Sequence, residues 1–294
     1  MGIRVVRDRK QRKVWILQDA YIDRIVRRFG LQNRPYVSIP LTSIPSPNRG
    51  PTATKTMQLE YLIRIGSVTH PAVITRPDIA NSSSILASFS SNPSQEHMAL
   101  VERSIVYLRD HKYLAIEFDG TEKNPADLEV IFKGASDASF ADDIQTRQST
   151  EGYLFKFFGG ALDWKSRKQR IVVTSTTEAE LISLQHAAKE IQAWHHLFRD
   201  MEFDPEQPDN YIECDNHQTV RLVNLDRPII RTNIRHLNIG DLWIRQEQRE
   251  GRIQVTWVNS DKMDADGLTK PLSKGKFDQF VKRLGMRDIR SLIT

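Results

Sequence analysis

The sequence predicts an α/β protein: a mixed β-sheet with flanking helices in the C-terminal half, preceded by a mainly helical N-terminal half. Three observations carry this. From residue 128 onward the patterns follow the order strand, strand, strand, helix, strand, helix, helix, strand, helix. Between residues 58 and 113 apolar residues recur instead at helical spacing. Finally, the carboxylates Asp137, Glu180, Asp215 and Asp266 fall where strands should end or helices begin, in a chain of net charge +5.

At 294 residues the chain has room for two domains, and we expect them at 1–120 and 128–294. Hydrophobic residues make up 39% and charged residues 27%, as in ordinary globular proteins. A single cysteine, Cys214, excludes an internal disulfide and a cysteine-based zinc site. No apolar run approaches the ~20 residues needed to span a bilayer, and the N-terminus lacks the apolar core of a secretory signal. A soluble intracellular protein, cytoplasmic or nuclear and without membrane attachment, is the expectation. Residues 1–60 hold twelve Lys and Arg against four Asp and Glu. Such a basic segment suits nucleic-acid binding, although a solvated basic face is the commoner meaning of a charge run. Charge alone leaves both open.

The elements follow in order. Ile3–Arg7 and Lys13–Leu17 read as a strand pair. A helix follows, with Asp19 as its cap, Ile22, Ile25, Val26 and Phe29 on one stripe, and Gly30 as its stop. Residues 35–56 are rich in Pro, Ser and Thr and read as an extended loop or linker rather than packed structure. Three helical stripes occupy 58–113, the last starting near Pro93 or Ser94. Leu114–Phe118 reads as a strand, and residues 119–127 as the linker between domains. Beyond it, Leu128–Phe132 is a strand with Asp137 after it. Tyr153–Phe158, the Gly159-Gly160 turn and Ala161–Trp164 make a hairpin. Arg170–Val173 should be a further strand, Thr177 to about Met201 a long helix, Tyr211–Cys214 a short strand ending at Asp215, and Ile253–Val258 a strand ahead of Asp266.

Six short motifs then carry a resemblance: Ser136-Asp137-Ala138, Arg147 to Tyr153, Trp164 to Gln169, Ser175 to Glu180, Cys214-Asp215-Asn216 and Ala265 to Lys270. In this order residues 128–294 resemble the ribonuclease H domain that closes the polyprotein of copia-type retrotransposons. Gln18 to Tyr21, Thr75 to Ile79, Asn92-Pro93 with His97, and Tyr107-Leu108 resemble the connection segment between the reverse transcriptase palm and ribonuclease H. The family's paired-aspartate polymerase signature has no counterpart, because the single Asp-Asp pair, Asp142-Asp143, lies in the nuclease half. The resemblance therefore implies no polymerase activity from this chain alone, and a palm supplied, if at all, by another chain.

By that resemblance Asp137, Glu180, Asp215 and Asp266 are the catalytic, metal-binding carboxylates, holding two Mg2+ ions (or Mn2+) that act on the RNA strand of an RNA–DNA hybrid. Hard divalent cations favour such oxygen ligands. Without the resemblance, Asp215 and Asp266 would pass as helix caps. Glu178 competes with Glu180, and Asp264 is a rival to Asp266. Lys165, Arg167 and Lys168 could line a phosphate path, or be surface residues beside a buried Trp164. The family usually shows Asp at Asn238 and His at Gly240 and Leu242, departures that keep a second reading open: a nucleic-acid-binding remnant with little or no turnover.

Overall fold

The computed structural model describes residues 2–121, 131–203, 211–225 and 235–293, with side chains from residue 240 in the last stretch. In chain order the elements are β1 (Arg4–Asp8), β2 (Lys13–Leu17), α1 (Asp19–Arg28), α2 (Lys55–Ile74), α3 (Ala80–Ala87), α4 (Gln95–Asp110), β3 (Leu114–Asp119), β4 (Phe132–Ser139), β5 (Thr150–Phe157) and β6 (Gly160–Lys168). These are followed by α5 (Thr176–Asp200), β7 (Tyr211–Cys214), α6 (His217–Asn224), α7 (Arg235–Arg249), β8 (Gln254–Trp257), α8 (Asp266–Thr269), α9 (Lys274–Arg283), β9 (Met286–Asp288) and α10 (Arg290–Ile293).

The chain divides into two compact units. The first comprises Met1–Glu122, Gly159–Ala161 and Lys270–Thr294; the second comprises Lys123–Phe158 and Leu162–Thr269. Residues 270–294, expected with the C-terminal domain, thus belong with the N-terminal elements. The reason is strand pairing: β9 runs antiparallel to β3, with Ile116 opposite Met286.

The first unit's sheet has the order β1-β2-β3-β9. Trp15 and Leu17 on β2 are buried, while Ile3 and Val5 beside the other face of β1 stay exposed. Asp19 does not cap α1. It is the first helical residue, and Arg4 pairs with its carboxylate at 3.1 Å. Gly30 does stop the helix, in the left-handed region at φ +66. Residues 35–56 are less loose than their composition suggests. Ile39 and Leu41 are buried, Val37 N donates to Asp110 at 2.8 Å, and His97 Nε2 lies 2.8 Å from Ser46 O. The Thr75–Ile79 motif proves structural: Arg76, fully buried, makes paired bonds to Asp78 at 2.8 and 2.6 Å. Tyr107 donates to the same carboxylate at 2.7 Å, so the buried ion pair has hydrogen-bonded company.

The second unit is a mixed sheet of order β6-β5-β4-β7-β8 with flanking helices. β4 pairs antiparallel with β5 and parallel with β7, which pairs parallel with β8. Its core gathers Phe155, Leu184, Ala188, Ile191, Ile212 and Cys214 where α5 crosses the sheet. Ser175 caps α5 by accepting from Glu178 N at 3.2 Å. Two expectations shift here. Most of Leu128–Phe132 lies outside the described residues, and β4 starts at Phe132, so Asp137 sits within a strand rather than after one. Arg170–Val173 forms no strand. Gln169 ends the pairing with its amide on Ser149 O (2.8 Å), its side chain bonds Ala179 O (2.8 Å), and Val173 turns into a small cluster with Ala179 and Ile182.

Candidate metal centre

Three carboxylates converge from three elements. Asp137 lies on β4, Glu180 on the second turn of α5, and Asp215 directly after β7. One oxygen from each lies within 4.8 Å of the others, with Asp137 and Glu180 buried and Asp215 partly exposed. The backbone explains the convergence: β4 and β7 are parallel neighbours, so Asp137 and Asp215 end up at the same edge of the sheet. Ser183 fixes α5 against that edge. Its hydroxyl donates to Asp137 O at 2.8 Å and lies 3.3 Å from Gly152 O and 2.9 Å from Ser136 Oγ. Asn216, rather than Asp215, caps α6 by accepting from Thr219 N at 3.0 Å, which leaves the Asp215 side chain to the cluster.

Asp266 stands outside this set as the first residue of α8. The last residue of that helix, Thr269, donates its hydroxyl to the Asp137 carboxylate. Gly152, opposite Asp137 in the β4–β5 register, lets α8 lie close: an added Cβ would come within 2.7 Å of Leu268 Cβ and 3.1 Å of Thr269 Cγ2. Asp264 is engaged elsewhere, 3.4 Å from both Lys133 Nζ and Lys156 Nζ. Burial alone would lower the Lys133 pKa, but Asp264 and Glu213 outweigh it and leave it raised.

Massing carboxylates out of water is costly unless a cation or a proton compensates them. Their field is felt nearby. The buried Cys214 thiol is pushed well above its usual pKa, first by burial and then by the charges of Glu180, Asp215 and Asp137. Oxygen-only donors at this spacing suit Mg2+ or Mn2+ and offer nothing soft for zinc or copper. The residues present fit such a metal.

Around the centre, sequence reasoning missed three features. Glu151, buried on β5, holds His186 Nδ1 at 3.0 Å and accepts from Arg167. Trp257 donates its indole N–H to Asp215 O at 3.1 Å and stacks on His217 with centroids 4.1 Å apart. Gly152 is the third, and its place inside the motif Arg147 to Tyr153 was the available signal. Of the expected phosphate-path residues, Arg167 is bound to Glu151 and Lys168 to Asp143, while Lys165 lies beside them on β6. Glu178 bonds back to Thr174 N at 2.8 Å, as a helix-start residue. Asn238 lies outside the described side chains; Gly240 packs against the Gln185 side chain, and Leu242 is exposed.

No family model matches the chain. It is 33% identical over 292 residues to the retrovirus-related Pol polyprotein from transposon TNT 1-94 of Nicotiana tabacum, covering 97% of this chain and 21% of that protein. Over nearly its whole length the chain is similar to a segment of the retrovirus-related Pol polyproteins of transposons. It spans about a fifth of that polyprotein, and a copia-type origin is consistent with the match. A secreted RxLR effector protein, number 161, of Plasmopara viticola is 39% identical over 130 residues, covering 44% of this chain and 87% of the effector. Among solved structures, LC11-RNase H1 isolated from compost is 16% identical, covering 51% of this chain and 98% of its own, with a TM-score of 0.36. The second unit has the mixed sheet with flanking helices that the motifs implied. No helix among the described residues is long and apolar enough to cross a membrane.

Proposed function

We propose that the second unit is a ribonuclease H that hydrolyses the RNA strand of an RNA–DNA hybrid with two Mg2+ or Mn2+ ions. The observation that carries this reading is the meeting of Asp137, Glu180 and Asp215 within 4.8 Å at one edge of the sheet. Asp266 is the fourth ligand in this reading. Two ions about 4 Å apart, each about 2.1 Å from its oxygens, reach ligands farther apart than a single ion can. A carboxylate outside the compact set therefore suits the second position. Bound metal would supply an activated water and neutralise charge building on the phosphodiester. The chain's own groups do the rest. Ser183 and Thr269 hold Asp137 in place, Asn216 leaves Asp215 available, and Trp257 anchors the Asp215 backbone. A hybrid would be recognised through shape and 2′-hydroxyls, so single-stranded RNA and DNA duplex should be poor substrates. In this reading the first unit would dock against the palm of a reverse transcriptase.

The test is Mg2+-dependent cleavage of a labelled hybrid, beside single-stranded RNA and duplex controls. Asp215→Asn should abolish cleavage and leave hybrid affinity equal or slightly higher, since a negative charge near phosphate is removed. Cleavage unchanged in Asp215→Asn removes that residue from the catalytic set. Hybrid binding without cleavage in the unaltered chain would instead favour the binding-remnant reading, which the Gly240 and Leu242 departures support.

A further inference from the structure

Lys133 and Lys156 stand directly opposite one another across β4 and β5. Like charges so placed repel, and these two are enclosed, with side chains 24% and 12% exposed. A single oxygen answers both: Asp264 Oδ2 lies 3.4 Å from each Nζ, while Glu213 Oε1 lies 3.1 Å from Lys133. Asp264 itself is 6% exposed at its side chain, so its carboxylate sits between the ammonium groups rather than in water.

Geometry gives this bridge a second consequence. Lys133 and Asp137 are four residues apart on β4 and so face the same side of the sheet, about 13 Å apart along the strand. The segment from Asp264 to Thr269 is fastened at both places, by Asp264 to Lys133 and by Thr269 to Asp137. Asp266 lies between the two fastenings, at the start of α8. Gly152 provides the room beneath that helix.

We propose that Asp264 is a positioning residue: by bridging Lys133 and Lys156 it sets the height of α8 over the sheet and so holds Asp266 toward the Asp137, Glu180 and Asp215 carboxylates. This rests on the ribonuclease reading for its effect on activity, though not for its effect on α8. The sequence offered Asp264 as a substitute for Asp266; the bridge makes it the support of Asp266 instead.

The experiment uses the full chain with Asp264→Asn, Asp266→Asn and the double variant. Two quantities are read: hybrid cleavage as a function of Mn2+ concentration, and amide hydrogen exchange of residues 266–269. Asp264→Asn should raise the Mn2+ concentration for half-maximal cleavage tenfold or more and speed exchange across 266–269. In the Asp266→Asn background it should leave the Mn2+ dependence unchanged, because the residue it acts through is gone. Asp264→Glu, keeping the charge, should recover most of the loss. Equal losses with and without Asp266 would show a merely structural role and overturn the proposal, as would unaltered exchange in Asp264→Asn. Should the unaltered chain cleave nothing, the ribonuclease reading fails, and the exchange measurement alone still decides whether Asp264 holds α8.

Discussion

Replacing Gly152 with alanine tests the close approach of α8 to the sheet. The new methyl would stand 2.7 Å from Leu268 Cβ, 3.1 Å from Thr269 Cγ2 and 3.3 Å from Lys165 O. Ordinary carbon contacts need about 3.5–4.0 Å, so α8 must retreat by about 1 Å. The closest atom, Leu268 Cβ, and Lys165 O are both fixed by the backbone, so a rotamer change cannot absorb the clash. Overpacking of this kind costs about 1–3 kcal/mol, which for a unit of this size lowers a melting midpoint by about 2–4 °C per kcal/mol. The larger effect should be on activity. Thr269 would draw away from Asp137, and Asp266 with it; misplacement of about 1 Å at a reacting centre can cost about 100-fold. The assay pairs a thermal melt with hybrid cleavage. We expect a drop of about 4–8 °C, from about 2 kcal/mol, with cleavage reduced at least tenfold. A variant with both quantities unchanged would refute the tight seating of α8 on β5.

Two further outcomes follow from the surroundings of the centre. Burial would raise the Glu151 pKa, but His186 and Arg167 outweigh it and leave it lowered. Its stabilising share is therefore complete above the ordinary glutamate range, near about 4.3, and is lost as pH falls through the lower folded value. Glu151→Gln should thus cost about 1–3 kcal/mol at pH 7 and progressively less in acid; urea unfolding at pH 7 and below pH 4 checks this, and a gap that does not narrow contradicts it. Trp257, 44% exposed and bonded to Asp215 O, should report metal arrival: Mg2+ should change the tryptophan emission of the unaltered chain and leave that of Trp257→Phe unchanged.

What the sequence disclosed was what local chemistry determines. The spacing of Leu181, Leu184, Ala188 and Ile191 foretold α5 nearly to its ends, and Tyr211–Cys214 foretold β7. Asp137, Glu180 and Asp215 were found because each lies in a short motif. What stayed hidden depends on residues distant in the chain. Met286–Asp288 is too short to look like a strand until β3 offers it an edge. Arg170–Val173 looks like a strand by composition, but side-chain bonds from Gln169 turn the chain toward α5. The engagement of Asp264 could not be read from sequence, since its partners are a pair of lysines more than a hundred positions upstream.

The pairing of β9 with β3 also has consequences for how the chain can be made and cut. Glu117 and Arg287, joined across that pairing at 3.4 Å, are 170 positions apart. During synthesis β3 must wait with one edge unmatched until nearly everything between has emerged, and long loops of this kind slow closure. An open strand edge is an invitation to foreign pairing for as long as it lasts. The second unit, by contrast, is complete once Thr269 has emerged and can fold during that delay. A fragment intended to isolate it should therefore stop at Thr269. One carried through to Thr294 would bring along α9 and β9 without the strand that completes them.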